Sequence, residues 1–360
     1  MANADDAHDK KFDLVCEGGG VKGIGLAGAY SVLDEQGWKP QNVAGTSAGA
    51  ITAALVAAGY SSQELKEIIF NLDYRQFEDK DWLDRIPAVG APLSILTEEG
   101  IYEGERFLEW MTELLHAKDT HTFADLKTEF ADPKYQYRLQ VVVSDVSARQ
   151  LLVLPRDAHL LGFEPDELDV ALAVRMSMSI PIFFKPVKIE NKETNQEHVI
   201  VDGGMLSNFP VWLFDSSDEE TPDWPTFGML LVEPDPKVPI TERIPAPERS
   251  PHGVRALVSL LSGMLHTMME AHDRLYLEKA NYARTIPIPT LGVGTTEFDL
   301  TKERAQALYD SGRAASEKFL GGWDFDAYIA AFRQGKTHSR RDDLVRELEQ
   351  EHPTVGLRHR

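Results

Sequence analysis

Phe12-Asp-Leu-Val-Cys-Glu-Gly18-Gly19-Gly20-Val21-Lys22-Gly23, then a helix-forming run, then Val43-Ala-Gly45-Thr-Ser47-Ala-Gly49-Ala50, is the stretch that decides how this chain folds. Two glycine clusters flank one helix, and a serine sits inside the second. The first cluster follows a short apolar run, Leu14 to Cys16. It precedes Ile24, Ala27, Tyr30 and Leu33 at helical spacing. Gly37 closes that helix as a residue just past a helix C-terminus would. The second cluster is again wedged between an apolar run and a helix former. That helix, Ala48 to Ala58, is small and apolar on every side, which is the composition of a buried helix.

Working outward, Ser61 and Glu64 form a capping-box pattern that opens a helix through about Phe70. Asp79 to Gly104, rich in proline and glycine, reads as an irregular connection. Glu105 to Leu115 has helical spacing, and Thr122 with Asp125 caps a further short helix. Arg138 to Ser144 and Gln150 to Leu154 read as a strand hairpin, and Asp166 to Arg175 as a helix. An apolar stretch broken by Pro181, Met176 to Phe184, leads to a polar hairpin-like segment, Glu190 to Glu197. A strand, His198 to Val201, then runs straight into Asp202-Gly203-Gly204. Phe227 to Val232 and Arg284 to Pro289 are further strands. Glu233 to Pro251 holds six prolines and reads as a loop, linker or lid base. Val254 to Ala271 is a Met-rich apolar helix; Thr301 to Leu320 and Asp324 to Phe332 are helices. Alternating strands and helices predict an α/β fold with a largely parallel sheet. The expected organisation is a flexible polar segment over 1–11, one catalytic domain over 12–332 with its motifs in 12–210, and a charged tail over 333–360.

The chain has 360 residues and a formal net charge of −21, which argues against nucleic-acid binding and against attraction to anionic membranes. One cysteine excludes an internal disulfide and a multi-cysteine metal site, and Cys16 reads as a buried, inert thiol. The polar start lacks an apolar signal core, and no apolar run reaches the roughly 20 residues of a membrane span. A cytoplasmic protein that meets any lipid from the water side is expected. Peripheral contact with a bilayer would then rest on apolar residues such as Met176 to Phe184, for which packed core is an equal reading. Oligomeric state has no signal in the sequence.

Gly45-Thr-Ser47-Ala-Gly49 at a strand-to-helix turn has the pattern of a nucleophile elbow: the glycines permit the tight turn that presents a strained serine. The helix that follows aims its positive end near that serine. Acyl transfer also needs fixed N–H donors for the developing oxyanion, and Gly18-Gly19-Gly20 at a helix start could supply them. A rival reading takes Gly18, Gly20 and Gly23 as a dinucleotide fingerprint. That reading requires an acidic residue at the end of the second strand, where the chain instead has Gly45-Thr-Ser47. None of the eleven histidines lies in a compelling motif; His116, His121 and His159 are in polar contexts, and His266 and His272 flank an apolar helix face. Asp202, at a strand end before two glycines, is the other candidate base, although Asp-Gly-Gly alone is more often a turn.

Taken jointly, Gly18 to Gly23, Gly45 to Gly49 and Asp202 to Gly204 resemble the patatin-like phospholipases. Lesser matches at Gly100 to Gly104, Thr122 to Leu126, Ser179 to Pro181 and Asn208 to Pro210 support the resemblance. It implies a three-layer α/β/α fold with a mainly parallel central sheet and a nucleophile elbow. It implies a Ser47–Asp202 dyad without histidine, with Ser47 as nucleophile and Asp202 as proton acceptor. Gly18, Gly19, Gly20 and Val21 would form the oxyanion hole, and Lys22 matches the basic position of that loop. Gly23, Gly45, Gly49, Gly203 and Gly204 complete the motifs. The implied substrate is a lipid or small ester, and no metal or cofactor is implied. Met176 and Ile182 depart from the family pattern by adding bulk near the expected acyl entrance. The competing expectations are a nucleotide-binding protein and a non-catalytic scaffold of the same fold.

Overall fold

The computed structural model describes residues 10–72, 101–130, 132–181, 184–215, 221–233, 279–295, 297 and 299–332. Strand β1 (Lys11–Cys16), helix α1 (Gly23–Glu35), strand β2 (Lys39–Thr46) and helix α2 (Ala48–Ala57) realise the opening stretch. Gly37 takes the left-handed backbone expected of it, at φ 81°. Helix α3 (Ser62–Asn71) starts with both halves of the Ser61–Glu64 capping box. Then come α4 (Ile101–His116), the hairpin β3 (Leu139–Asp145) and β4 (Gln150–Leu154), and α5 (Val170–Ser177) capped by the Asp169 carboxylate. Strands β5 (Val187–Asn191), β6 (Gln196–Asp202) and β7 (Thr226–Val232) follow. Helix α6 (Lys279–Ala283), β8 (Thr285–Pro289), α7 (Lys302–Leu320) and α8 (Phe325–Phe332) complete the order.

The eight strands form one sheet in the order β5-β6-β3-β2-β1-β7-β8, with β4 also paired to β3. Strands β3, β2, β1, β7 and β8 run parallel, whereas β4, β5 and β6 join antiparallel. The parallel strands are apolar because both of their faces are covered. Phe12, Leu14 and Cys16 of β1, Val43 of β2 and Phe227 and Met229 of β7 face a large core shared with α1, α2, α4, α5 and α7. Val15, Ala44, Val142 and Leu230 face a smaller core on the other side. Among the described residues that second layer is the segment Phe209 to Phe214, which includes the 3-10 turn Val211–Phe214.

Three local expectations change. Gly104 belongs to helix α4, not to an irregular connection, and its missing side chain leaves room for the Arg175 guanidinium. The strand Val187–Asn191 is new; it pairs β6 across the polar turn that the sequence does show. The strand bearing Asp202 is antiparallel to β3, so Asp202 reaches the C-terminal ends of the parallel strands from the opposite direction. The proline-rich loop, the Met-rich helix, most of the connection from Asp79, residues 1–9 and the tail from 333 lie outside the described residues.

Candidate active site

Ser47 and Asp202 meet because of how β3 is shared. Strand β4 occupies one edge of β3 from Val141 to Asp145. On the other edge β2 pairs parallel with Leu139 to Val142, and β6 pairs antiparallel with Val143 to Asp145. Strands β2 and β6 therefore run toward each other along one edge, and their C-terminal ends meet. Ser47 follows the last residue of β2, and Asp202 is the last residue of β6. The segment after Asp202 then crosses the strand ends. Thr46 Oγ1 donates to Ser207 O at 3.1 Å, and Gly18 N–H donates to Asn208 O at 3.1 Å.

Ser47 has φ 54° and ψ −132°, a backbone conformation that a side chain rarely adopts. The turn survives because its surroundings dictate it. A Cβ on Gly49 would come within 2.4 Å of both Cys16 O and Glu17 O, so only glycine lets α2 start against the end of β1. Ser47 N–H donates to Ser177 Oγ at 2.9 Å, and that hydroxyl donates to Val142 O at 2.7 Å. Ser177 thus ties the elbow to β3. Ser47 caps helix α2, whose positive end lies at the serine. The resting Ser47 hydroxyl donates to Met178 Sδ at 3.9 Å.

Asp202 is fully buried. Its backbone N–H donates to Ser179 O at 3.0 Å, and its Oδ1 accepts from Gly204 N–H at 2.7 Å. Its Oδ2 makes no well-formed hydrogen bond among the described residues. Burial raises its pKa to about 7, against the lowering effects of the Ser47 hydroxyl and the Gly204 N–H. A carboxylate so poised is a far better base at neutral pH than one in water.

The glycine loop turns left-handed at Gly20, with φ 57° and Thr295 O where a Cβ would be. The four expected oxyanion donors divide into two pairs. Gly18 N–H donates to Asn208 O and Val21 N–H to Thr295 O at 3.2 Å, so these two are engaged. The N–H groups of Gly19 and Gly20 have no partner among the described residues. Lys22 and Gly23 N–H groups are used within the loop's own 3-10 turn. That leaves few donors for a dinucleotide pyrophosphate. Lys22 is buried with its ammonium 3.0 Å from Glu233 Oε1, just past β7.

No histidine hydrogen-bonds Ser47 among the described residues. His198 Nδ1 lies 2.6 Å from Asp145 Oδ2, which makes a histidine–carboxylate pair of the kind a triad uses. It belongs to β6, four residues before Asp202, and so stands about 13 Å from the dyad at the rise of an extended strand. The His116 and His121 rings lie 4.1 Å apart, tilted by 52° to each other. Among the described residues no three metal-ligating side chains cluster. Cys16 is buried, and burial pushes its thiol pKa far up, consistent with an inert residue. Met176, Met178, Ile180 and Phe184 belong to the core, which favours the packed reading of that stretch. Met178 adjoins Ser47; Ile182 lies outside the described residues. Among the described residues no helix is long and apolar enough to cross a membrane.

A family profile described as "Patatin-like phospholipase" matches residues 14–215. The uncharacterized protein YqhO of Bacillus subtilis (strain 168) is 37% identical over 314 residues, covering 87% of this chain and 99% of its own length. The triacylglycerol lipase ptl3 of Schizosaccharomyces pombe is 29% identical over 217 residues, or 58% of this chain and 40% of that protein. The crystal structure of VipD from Legionella pneumophila superposes with a TM-score of 0.50 at 19% identity, over 88% of this chain and 67% of that one, a likeness of fold. With the profile spanning more than half its length and a full-length relative above the level at which homology is secure, the chain belongs to the patatin-like phospholipase family.

Proposed function

We propose that this protein is a serine acyl hydrolase acting on lipid-like carboxylic esters, of phospholipase A, lysophospholipase or lipid esterase type. The observation that carries the reading is the junction of β2 and β6, which sets the strained Ser47 beside a buried carboxyl with an open oxygen. Ser47 Oγ attacks the ester carbonyl carbon while Asp202 Oδ2 takes its proton. The Gly19 and Gly20 N–H groups, aided by the positive end of α2, hold the oxyanion. As the C–O bond breaks, the protonated Asp202 returns the proton to the leaving alcohol, which leaves an acyl group on Ser47. A water then gives its proton to Asp202 as it attacks the acyl carbon; as the acyl–Oγ bond breaks, Asp202 returns that proton to Ser47 Oγ, and a fatty acid is released. The catalytic unit spans residues 12–332. Family membership and the name of the yeast relative, a triacylglycerol lipase, support a lipid as substrate.

A fluorophosphonate probe reacts with an activated serine and tests this directly. It should label the wild-type protein in a 1:1 complex and leave Ser47→Ala unlabelled. Equal labelling of Ser47→Ala would remove Ser47 as the nucleophile. An unlabelled wild-type protein that binds NAD or FAD tightly would favour the nucleotide reading of the glycine loop, and an unlabelled protein that binds neither would favour a scaffold.

A further inference from the structure

Asn208 is buried, 5% exposed, and sits over the glycine loop. Its Nδ2 donates to Gly18 O at 3.0 Å and to Glu17 Oε1 at 3.2 Å. Those two acceptors fix the amide orientation, since a flip would set an oxygen against both. Its Oδ1 is then a buried acceptor with no donor among the described residues. Such groups are rare because leaving one unmade is costly, and each asks for an explanation. The location supplies one. The point that a Gly18 Cβ would occupy is 2.2 Å from Asn208 Oδ1 and 2.9 Å from Ser47 Cβ, so the unpartnered oxygen adjoins the nucleophile. Asp202 Oδ2, the other unpartnered acceptor beside Ser47, already has the serine proton to receive.

We propose that Asn208 Oδ1 accepts a hydrogen bond from a free hydroxyl on the alcohol portion of the substrate, adjacent to the scissile ester. The substrate class this selects is the partially acylated polyol, such as a monoacylglycerol or a lysolipid, over its fully acylated or etherified counterpart. The preference is strong because a substrate without the hydroxyl leaves the buried oxygen unpaired in the complex. A site built to pair a hydroxyl rejects analogues lacking it far more firmly than an apolar pocket rejects a change of size. The inference rests on the hydrolase reading above.

The experiment compares kcat/KM for 2-hydroxyethyl butyrate and 2-methoxyethyl butyrate, two esters of similar intrinsic reactivity that differ in one donor. The ratio comes from one preparation and does not depend on how much of it is folded. In the wild-type protein the hydroxy ester should be favoured by at least about tenfold. Asn208→Ala should bring the ratio to about 1, and so should Asn208→Leu, which fills the same space without an acceptor. Should Asn208→Ala leave too little activity to measure, the wild-type and Asn208→Leu ratios decide. A wild-type ratio near 1, or a preference that Asn208→Ala leaves intact, overturns the inference while the hydrolase reading stands. Absence of hydrolysis of both esters by the wild-type protein overturns the two together.

Discussion

In the proposed reaction two side chains carry the chemistry, and each is held out of its comfortable state. Ser47 is forced to positive φ by the close approach of β1 and α2, and Asp202 is drawn out of water at the end of β6. Only ionised Asp202 can take the serine proton, and burial places its pKa at about 7. Activity should therefore rise with pH and level off above about 7, falling roughly tenfold per unit well below it. A kcat/KM profile from pH 5 to 9 on a short-chain p-nitrophenyl ester checks this. A plateau already reached near pH 5, as for a solvated carboxylate, would contradict it. At this scale Ser47, Asp202 and the glycine loop are legible in the sequence, because a tight turn leaves a local pattern of glycines. Ser177 and the open oxygen of Asn208 are not. Each acts through one tertiary hydrogen bond, or the lack of one, and such contacts have no spacing to read. The glycine loop itself shows the limit of a motif: it names four donors, but the fold engages two of them.

The elements show the same division. Helices α1, α2 and α3, the β3–β4 hairpin and strands β7 and β8 follow from apolar periodicity, caps and turn residues. Strand β5 is missed because its exposed alternation, Val187 to Asn191, sits inside a polar segment with little apolar signal. The direction of β6 is missed because pairing partners are not local. A parallel β6 would have seemed the natural way to bring Asp202 to Ser47; the structure instead abuts two opposed strands on one edge of β3. Strand β1 carries a second buried carboxyl, Asp13, whose Oδ1 accepts from Asn42 Nδ2 at 2.7 Å on β2. Burial raises its pKa to about 7, partly offset by the hydrogen bonds from Asn42 and Trp224. Because the native value lies above the unfolded one, the folded protein binds the extra proton between them. Asp13 therefore stabilises most below about pH 4, and its contribution is lost as pH rises to about 7. In thermal melts the fall in Tm between pH 4.5 and pH 7.5 should be smaller in Asp13→Asn than in the wild type. An unchanged or larger fall would show that Asp13 ionises freely in the fold.

At the scale of the whole molecule, the site exists only because distant parts of one sheet close on each other. In the proposed mechanism the first turn of the chain supplies donors, the second supplies the nucleophile, and the base comes after the β3–β4 hairpin and α5 in the chain. Composition could bound the molecule, and the joint presence of three motifs pointed to its family. Neither could say that the base comes in on an antiparallel strand, since that depends on which edge of β3 remains free. The same topology separates two candidate bases on β6: Asp202 at its end beside Ser47, and His198 paired with Asp145 about four strand residues earlier. The most direct measurement is kcat for a p-nitrophenyl ester in Asp202→Asn and His198→Gln, each confirmed folded by circular dichroism. Loss of about 10³-fold in Asp202→Asn, with His198→Gln within a few-fold of wild type, is the predicted result. Wild-type turnover in Asp202→Asn together with its collapse in His198→Gln would contradict the dyad.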